Sequence, residues 1–143
     1  MGHGDELVLA DANFPTSSIC ACGPKEIRAD GLGIPQLLKA ILKLLSLDTY
    51  VPSPAAVMDL LKERCFEVHV WYTYSDLLNQ AGSYVKKLVA YNLMIKLISY
   101  PIEKVERFAF YERAKEACIF SVETALYGNL IQKKGVISPD LLE

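Results

Sequence analysis

Histidine is scarce in this chain: two in 143 residues, His3 and His69. No His-Glu-x-x-His occurs, and two distant imidazoles are a poor basis for a metal site. Cysteine shows no framework either. The four are Cys20, Cys22, Cys65 and Cys118. Cys20 and Cys22 are too close for an easy disulfide, and one Cys-x-Cys without a second ligand pair is a weak zinc signal. A reduced, cytoplasmic protein follows. Positive charge is not in excess, with a formal net charge of −2, which argues against the basic face that nucleic acids require. There is no Gly-x-Gly-x-x-Gly, no Walker loop and no Gly-x-Ser-x-Gly elbow, so nucleotide binding and serine hydrolysis have no motif. Cys65 and Cys118 have no evident His partner for thiol catalysis. Long apolar runs are missing as well. The most apolar stretch, 88–102, is broken by Asn92, Lys96, Ser99 and Pro101, and a bilayer span needs roughly 20 apolar residues. Met1 leads straight into Gly-His-Gly-Asp, with no signal sequence visible. The expectation is no nucleic acid and no membrane.

What is present is enough apolar material for a core. Hydrophobic residues make up 52%, the mean hydropathy is +0.20, and 143 residues make one ordinary domain. Residues 7–10 form an apolar run bounded by turn formers, as in a buried strand. Residues 16–23 suit one helical turn stopped at Gly23. A short strand follows over 25–31, then the clearest helix, from Pro35 to Leu45, with Leu37, Leu38, Ile41, Leu42, Leu44 and Leu45 apolar. Segment 55–61 leans to strand. Alternation over 67–70 predicts an edge strand, and 71–80 a short helix closed by Gly82. Segment 83–103 suits a buried helix ending before Pro101. Alternation over 105–110 predicts a strand, 111–117 a helix, 118–122 a strand, and 127–137 a turn followed by a strand. Strands and helices alternate throughout, which argues for a layered α/β fold.

Ligands of open α/β sheets bind at the carboxyl ends of strands. His3 stands before the first strand; Asp11 and Asn13 stand after it. Asp48, Arg107, Tyr111, Tyr127 and Asn129 likewise lie beside apolar segments. Directional donors and acceptors of this kind suit a ring of sugar hydroxyls, and aromatic rings can cover a sugar's apolar face. Any one of them alone is an ordinary surface polar residue.

Met1-Gly-His-Gly-Asp-Glu, Leu9-Ala-Asp-Ala-Asn-Phe-Pro15, Ile27-Arg-Ala-Asp-Gly31, Leu47-Asp-Thr-Tyr50, Arg107-Phe-Ala-Phe-Tyr-Glu-Arg-Ala114 and Tyr127-Gly-Asn-Leu together resemble the L-fucose mutarotases. These group with ribose pyranase as cofactor-free sugar isomerases. The resemblance covers 1–82 and 104–137, and 32–38 and 51–58 look like the animal members. It implies a single three-layer α/β/α domain over 1–143, homo-oligomers with sugar sites near subunit contacts, and interconversion of the α and β anomers of L-fucose. It implies that His3 transfers protons, with Asp48 and Tyr111 as catalytic partners. It also implies that His3, Asp11, Asp48, Tyr111, Tyr127 and Asn129 contact the sugar, with Arg107 a further contact. The family pattern places a helix ahead of the Met-Gly-His-Gly-Asp motif, marks 89–101 as an insertion, and makes 118–123 a couple of residues short. Those departures raise a rival reading, an impaired variant that only binds sugar or modulates an oligomer. Ribose pyranase activity is the other rival.

Overall fold

Leu7, Val8, Leu9 and Ala10 are all apolar and all buried, so a strand made from them must be covered on both faces. The structure, a computed structural model, describes residues 1–21, 23–60, 68–89, 100–122 and 127–137, with backbone alone over 82–89. In chain order the elements are β1 (Glu6–Ala10), α1 (Thr16–Cys20), β2 (Glu26–Arg28), α2 (Ile34–Ile41), β3 (Ala55–Met58), α3 (His69–Val89), β4 (Ile102–Val105), α4 (Arg107–Ala114), β5 (Cys118–Ser121) and β6 (Leu130–Lys133). The described strands make one six-stranded sheet in the order β2-β5-β1-β6-β3-β4. β1 is central. It pairs in parallel with β5, Val8 opposite Ile119, and antiparallel with β6, Val8 opposite Ile131. β2–β5 and β3–β4 are parallel and β3–β6 antiparallel, so β6 alone runs against the other five.

The side chains of β1 point alternately to the two faces, as the period of a strand requires. Leu7 and Leu9 pack with Ile34, Leu38 and Ile41 of α2 and with Tyr74 and Leu78 of α3. Val8 and Ala10 pack with Ile19 of α1 and with Phe110 and Ala114 of α4. The result is the three-layer α/β/α arrangement expected. Each large side chain buried this way contributes about 1.5–3 kcal/mol.

Four boundaries differ from the sequence reading. The expected strand over 105–110 is β4 only as far as Val105. Glu106 caps α4, its carboxylate accepting from the N–H of Phe108 at 2.9 Å and of Ala109 at 3.1 Å, and the apolar alternation beyond it belongs to a helix. The expected edge strand over 67–70 is helical from His69; its first residue, Glu67, and segment 61–66 lie outside the described residues. Gly82 does not end a helix but lies inside α3, where a glycine costs only about 1 kcal/mol. α2 also stops early, at Ile41, and the chain turns with Leu44 and Leu45 N–H both donating to the Ile41 carbonyl. Most of the expected insertion, 90–99, and Cys22 lie outside the described residues. Of the sequence-level expectation about membranes, the structure adds that among the described residues no helix is long and apolar enough to cross one.

Candidate functional site

Because five strands share a direction, their carboxyl ends gather at one edge of the sheet, together with the start of β6. Asp11 follows β1, Asp59 follows β3, Arg107 follows β4, and Tyr127 to Asn129 precede β6. Asp11, Asp59, Arg107, Tyr127 and Asn129 line a cleft of about 320 Å³ with Asn13, Phe14, Met58, Leu60 and Tyr111. That is within the roughly 300–1,000 Å³ of small-molecule sites.

Asp11 is the hub of this cleft, and it is buried. Its backbone N–H donates to Asn129 Oδ1 at 2.8 Å, and Asn129 Nδ2 donates back to its carboxylate at 3.2 Å. Asn13 N–H donates to Asp11 Oδ1 at 2.9 Å, closing an Asx turn. Burial pushes the Asp11 carboxyl above the usual carboxylate range, and backbone N–H groups of Asn13, Tyr127, Gly128 and Phe14 pull it partly back. Tyr127 has φ +60°. A side chain in that left-handed region costs roughly 1–2 kcal/mol, and such strain persists where the surroundings enforce it. The opposite wall is α4. Arg107 Nε donates to the Tyr111 hydroxyl at 3.2 Å, one helical turn apart, and its guanidinium lies 5.6 Å from the Tyr111 ring centre. The Phe14 ring meets Tyr111 edge-on at 5.5 Å. The cleft thus combines carboxylate, amide, phenol and guanidinium groups with aromatic and aliphatic surface.

His3 and Asp48 are not there. They lie at the other edge of the sheet, beside the start of β1 and the end of β6. Asp48 is buried, and its Oδ2 sits 3.3 Å from His3 Nε2. Its Oδ1 accepts from Tyr50 N–H at 2.9 Å, and the Tyr50 ring stands edge-on to the imidazole at 5.7 Å. The imidazole itself is 46% exposed, with its Nε2 facing the Asp48 carboxylate. Such a pairing fixes an imidazole's orientation for proton transfer. The segment is tied down: Gly4, at φ +85°, donates to the Lys134 carbonyl at 2.8 Å, and Lys134 N–H donates to the Asp5 carbonyl at 2.8 Å. Asp48 is fixed in turn by its N–H to the Lys133 carbonyl at 3.1 Å.

The sequence-proposed residues therefore fall into two groups. Asp11, Arg107, Tyr111, Tyr127 and Asn129 share the cleft; His3 and Asp48 share the opposite edge. Four residue steps of β1 at ~3.3 Å each, roughly 13 Å, separate the groups before the flanking turns are added. Proton transfer needs heavy atoms within about 3 Å of each other. Asp59, Met58 and Leu60 were missed as cleft residues; the signal was a carboxylate directly after the apolar run 55–58.

The profile of the RbsD / FucU transport protein family matches residues 1–137. The fucose mutarotase of Homo sapiens is 59% identical over 143 aligned positions, covering 96% of this chain and 83% of the human one. The crystal structure of the fucose mutarotase from Streptococcus pneumoniae in complex with L-fucose is 40% identical, covers 96% of this chain and 87% of that one, and superposes with a TM-score of 0.77. The RbsD of Bacillus subtilis, complexed with D-ribose, shares the fold at 17% identity and a TM-score of 0.66, over 96% of this chain and 87% of its own.

Proposed function

Because the chain belongs to the RbsD / FucU transport protein family, we propose that it is an L-fucose mutarotase, an isomerase whose sites are each assembled from two copies of the chain. Support for the substrate comes from the fucose mutarotases at 59% and 40% identity, the second holding L-fucose. D-ribose has less behind it, since the ribose-bound relative stands at 17%. The observation that carries the shared site is the separation of the two groups. The proton-transfer pair and the hydroxyl-holding cleft occupy opposite edges of one sheet, so a sugar in the cleft is served by His3 of a neighbouring copy. Exposed apolar side chains are present for such a contact: Met1, Tyr50, Val136 and Ile137 on the segments beside His3, and Phe108 beside Arg107. A contact between unlike ends is the heterologous kind that closes into rings.

Mutarotation moves protons only. The anomeric O1–H loses its proton, the C1–O5 bond breaks with its electron pair staying on O5, and O5 takes up a proton. The aldehyde turns about C1–C2 and the ring closes on its other face by the reverse steps. His3, oriented by Asp48, is the proton acceptor and returns the proton on closure. Tyr111, with Arg107 donating to its oxygen, is the second proton-transfer group. Asp11, Tyr127 and Asn129 hold hydroxyls, and Arg107 adds a donor. The chemistry itself calls for no redox or metal cofactor, and positioned acid–base groups of this kind contribute about 10²–10⁴-fold. We take residues 1–143 as one working domain, 89–101 as an insertion in it, and the cytoplasm as its location, in keeping with the free thiols of Cys20 and Cys118.

Saturation-transfer NMR on the anomeric protons of L-fucose tests this. The wild-type chain accelerates exchange between the anomers, and His3→Ala removes most of that acceleration. An unchanged exchange rate in His3→Ala overturns the assignment. D-ribose in the same assay shows the weaker response.

A further inference from the structure

We propose that Trp71 and Tyr74, in the first turns of α3, are positioning residues that hold Tyr127 and Asn129 in their sugar-gripping geometry; this rests on the reading of the cleft as the L-fucose site. Tyr74 is completely buried, and its hydroxyl donates to the Gly128 carbonyl at 2.7 Å. Trp71 Nε1–H donates to the Tyr127 carbonyl at 3.3 Å. The two side chains are three residues apart, on one face of the helix. They grip consecutive carbonyls of the single turn in which Tyr127 takes φ +60°.

The planar trans peptide carries this grip to the ligand side. In each peptide unit the C=O and the N–H point in opposite directions. With the Tyr127 carbonyl held against Trp71, the Gly128 N–H is turned away from α3 and onto the Asp11 carboxylate, which it stabilises. Asn129, one residue on, is thereby placed for its two bonds to Asp11. A left-handed tyrosine needs surroundings that over-determine it, and these two donors supply that. Packing alone does not account for the Tyr74 hydroxyl, because phenylalanine would fill the same space. Burial, and to a lesser extent the Asp11 charge, push the Tyr74 phenol well above its ordinary range, so it remains a donor wherever the fold survives. The Trp71 ring is itself fixed from β4, with Lys104 Nζ 5.2 Å from its centre. α3 thus links the Tyr127 wall of the cleft to the strand that leads into Arg107.

The test uses the full chain and the variants Tyr74→Phe, Trp71→Phe and, as a core control away from the turn, Leu78→Ala. Anomer exchange of L-fucose gives KM and kcat, and hydrogen exchange reads the Gly128 amide. Each of the first two variants raises KM, Tyr74→Phe on the order of tenfold, the scale of one lost buried hydrogen bond, and Trp71→Phe by about threefold or more because its bond is part-buried. Hydroxyl contacts that act equally in ground and transition states leave kcat within about twofold. Gly128 amide exchange speeds up in both, whereas Leu78→Ala lowers the melting temperature and leaves KM where it was. KM unmoved in both variants, or moved equally by Leu78→Ala, overturns the proposal. A wild-type chain that fails to accelerate anomer exchange overturns the L-fucose reading instead; the Gly128 amide then decides, and unchanged exchange in Tyr74→Phe and Trp71→Phe overturns the positioning role.

Discussion

Replacing Gly135 by alanine puts a methyl group where the chain has no room for one. A Cβ there would lie 2.3 Å from the Leu47 carbonyl oxygen, 2.7 Å from its carbon and 2.8 Å from Asp48 Cα. All three are backbone atoms, so no side-chain rotation relieves the clash; the 47–48 segment must move away from β6. Overpacking of this kind costs typically 1–3 kcal/mol. The same movement loosens the Gly135 N–H bond to the Ser46 carbonyl, at 2.8 Å, and the Asp48 N–H bond to Lys133, at about 1 kcal/mol each. The sum, roughly 3–5 kcal/mol, is a large part of the 5–15 kcal/mol that holds an ordinary domain folded. For a chain of this size each kcal/mol shifts Tm by about 2–4 °C, so a loss on the order of 10 °C is expected in thermal unfolding at fixed protein concentration. Gly4→Ala is the comparison: Gly4 has φ +85° but nothing within 4 Å of its Cβ position, so it carries backbone strain alone, roughly 1–2 kcal/mol. The substitution at Gly135 also displaces Asp48 from His3 and lowers the rate of anomer exchange beyond what stability explains. A Gly135→Ala protein melting within about 2 °C of wild type, or melting above Gly4→Ala, would refute the reasoning.

Two further predictions follow from the cleft and its wall. The Asp11 carboxyl, raised by burial above its unfolded value of about 3.9, favours the folded state fully below that value, and the contribution is lost as pH rises through the folded pKa. A ¹³C titration should place it above about 3.9, and Asp11→Asn should remove that component of the stability–pH slope; a titration at or below the ordinary value contradicts the burial argument. Glu106→Ala removes the α4 cap and costs about 0.5–2 kcal/mol, with faster amide exchange at Phe108 and Ala109 as its local signature; unchanged exchange there would show that the cap is not what starts the helix.

The parts of the fold that were legible in the sequence are those where one signal dominates. The run at 7–10 is short, apolar and bounded by turn formers, and it is a strand because a sheet covered on both faces takes such runs. α2 was legible from its apolar positions after Pro35, of which Leu38 and Ile41 are buried on one face. The β4–α4 junction was not, because Val105 to Phe110 alternates in a way that fits both a strand and the start of a helix, and the deciding residue, Glu106, is an uncommon cap. α3 was cut short in the reading because Gly82 is an ordinary helix stop that the structure overrides. For the site, flanking of one strand by His3 and Asp11 already implied opposite edges. The place of Asp48 depended on the isolated Leu47–Lys134 bridge, a long-range pairing that carries no local sequence mark. Asp59 went unnoticed because the apolar run before it was ambiguous, and Trp71 and Tyr74 because their partners are backbone carbonyls 56 and 54 residues away.

The shared site is tested most directly by complementation. His3→Ala and Asn129→Ala chains, each deficient in L-fucose anomer exchange alone, are unfolded together, refolded in equal amounts and assayed against each parent treated the same way. If every site takes its proton-transfer pair from one chain and its cleft from another, random pairing leaves roughly a quarter of the sites with both halves intact, and exchange returns to about that fraction of wild type. A mixed sample no faster than its parents would contradict the two-chain site.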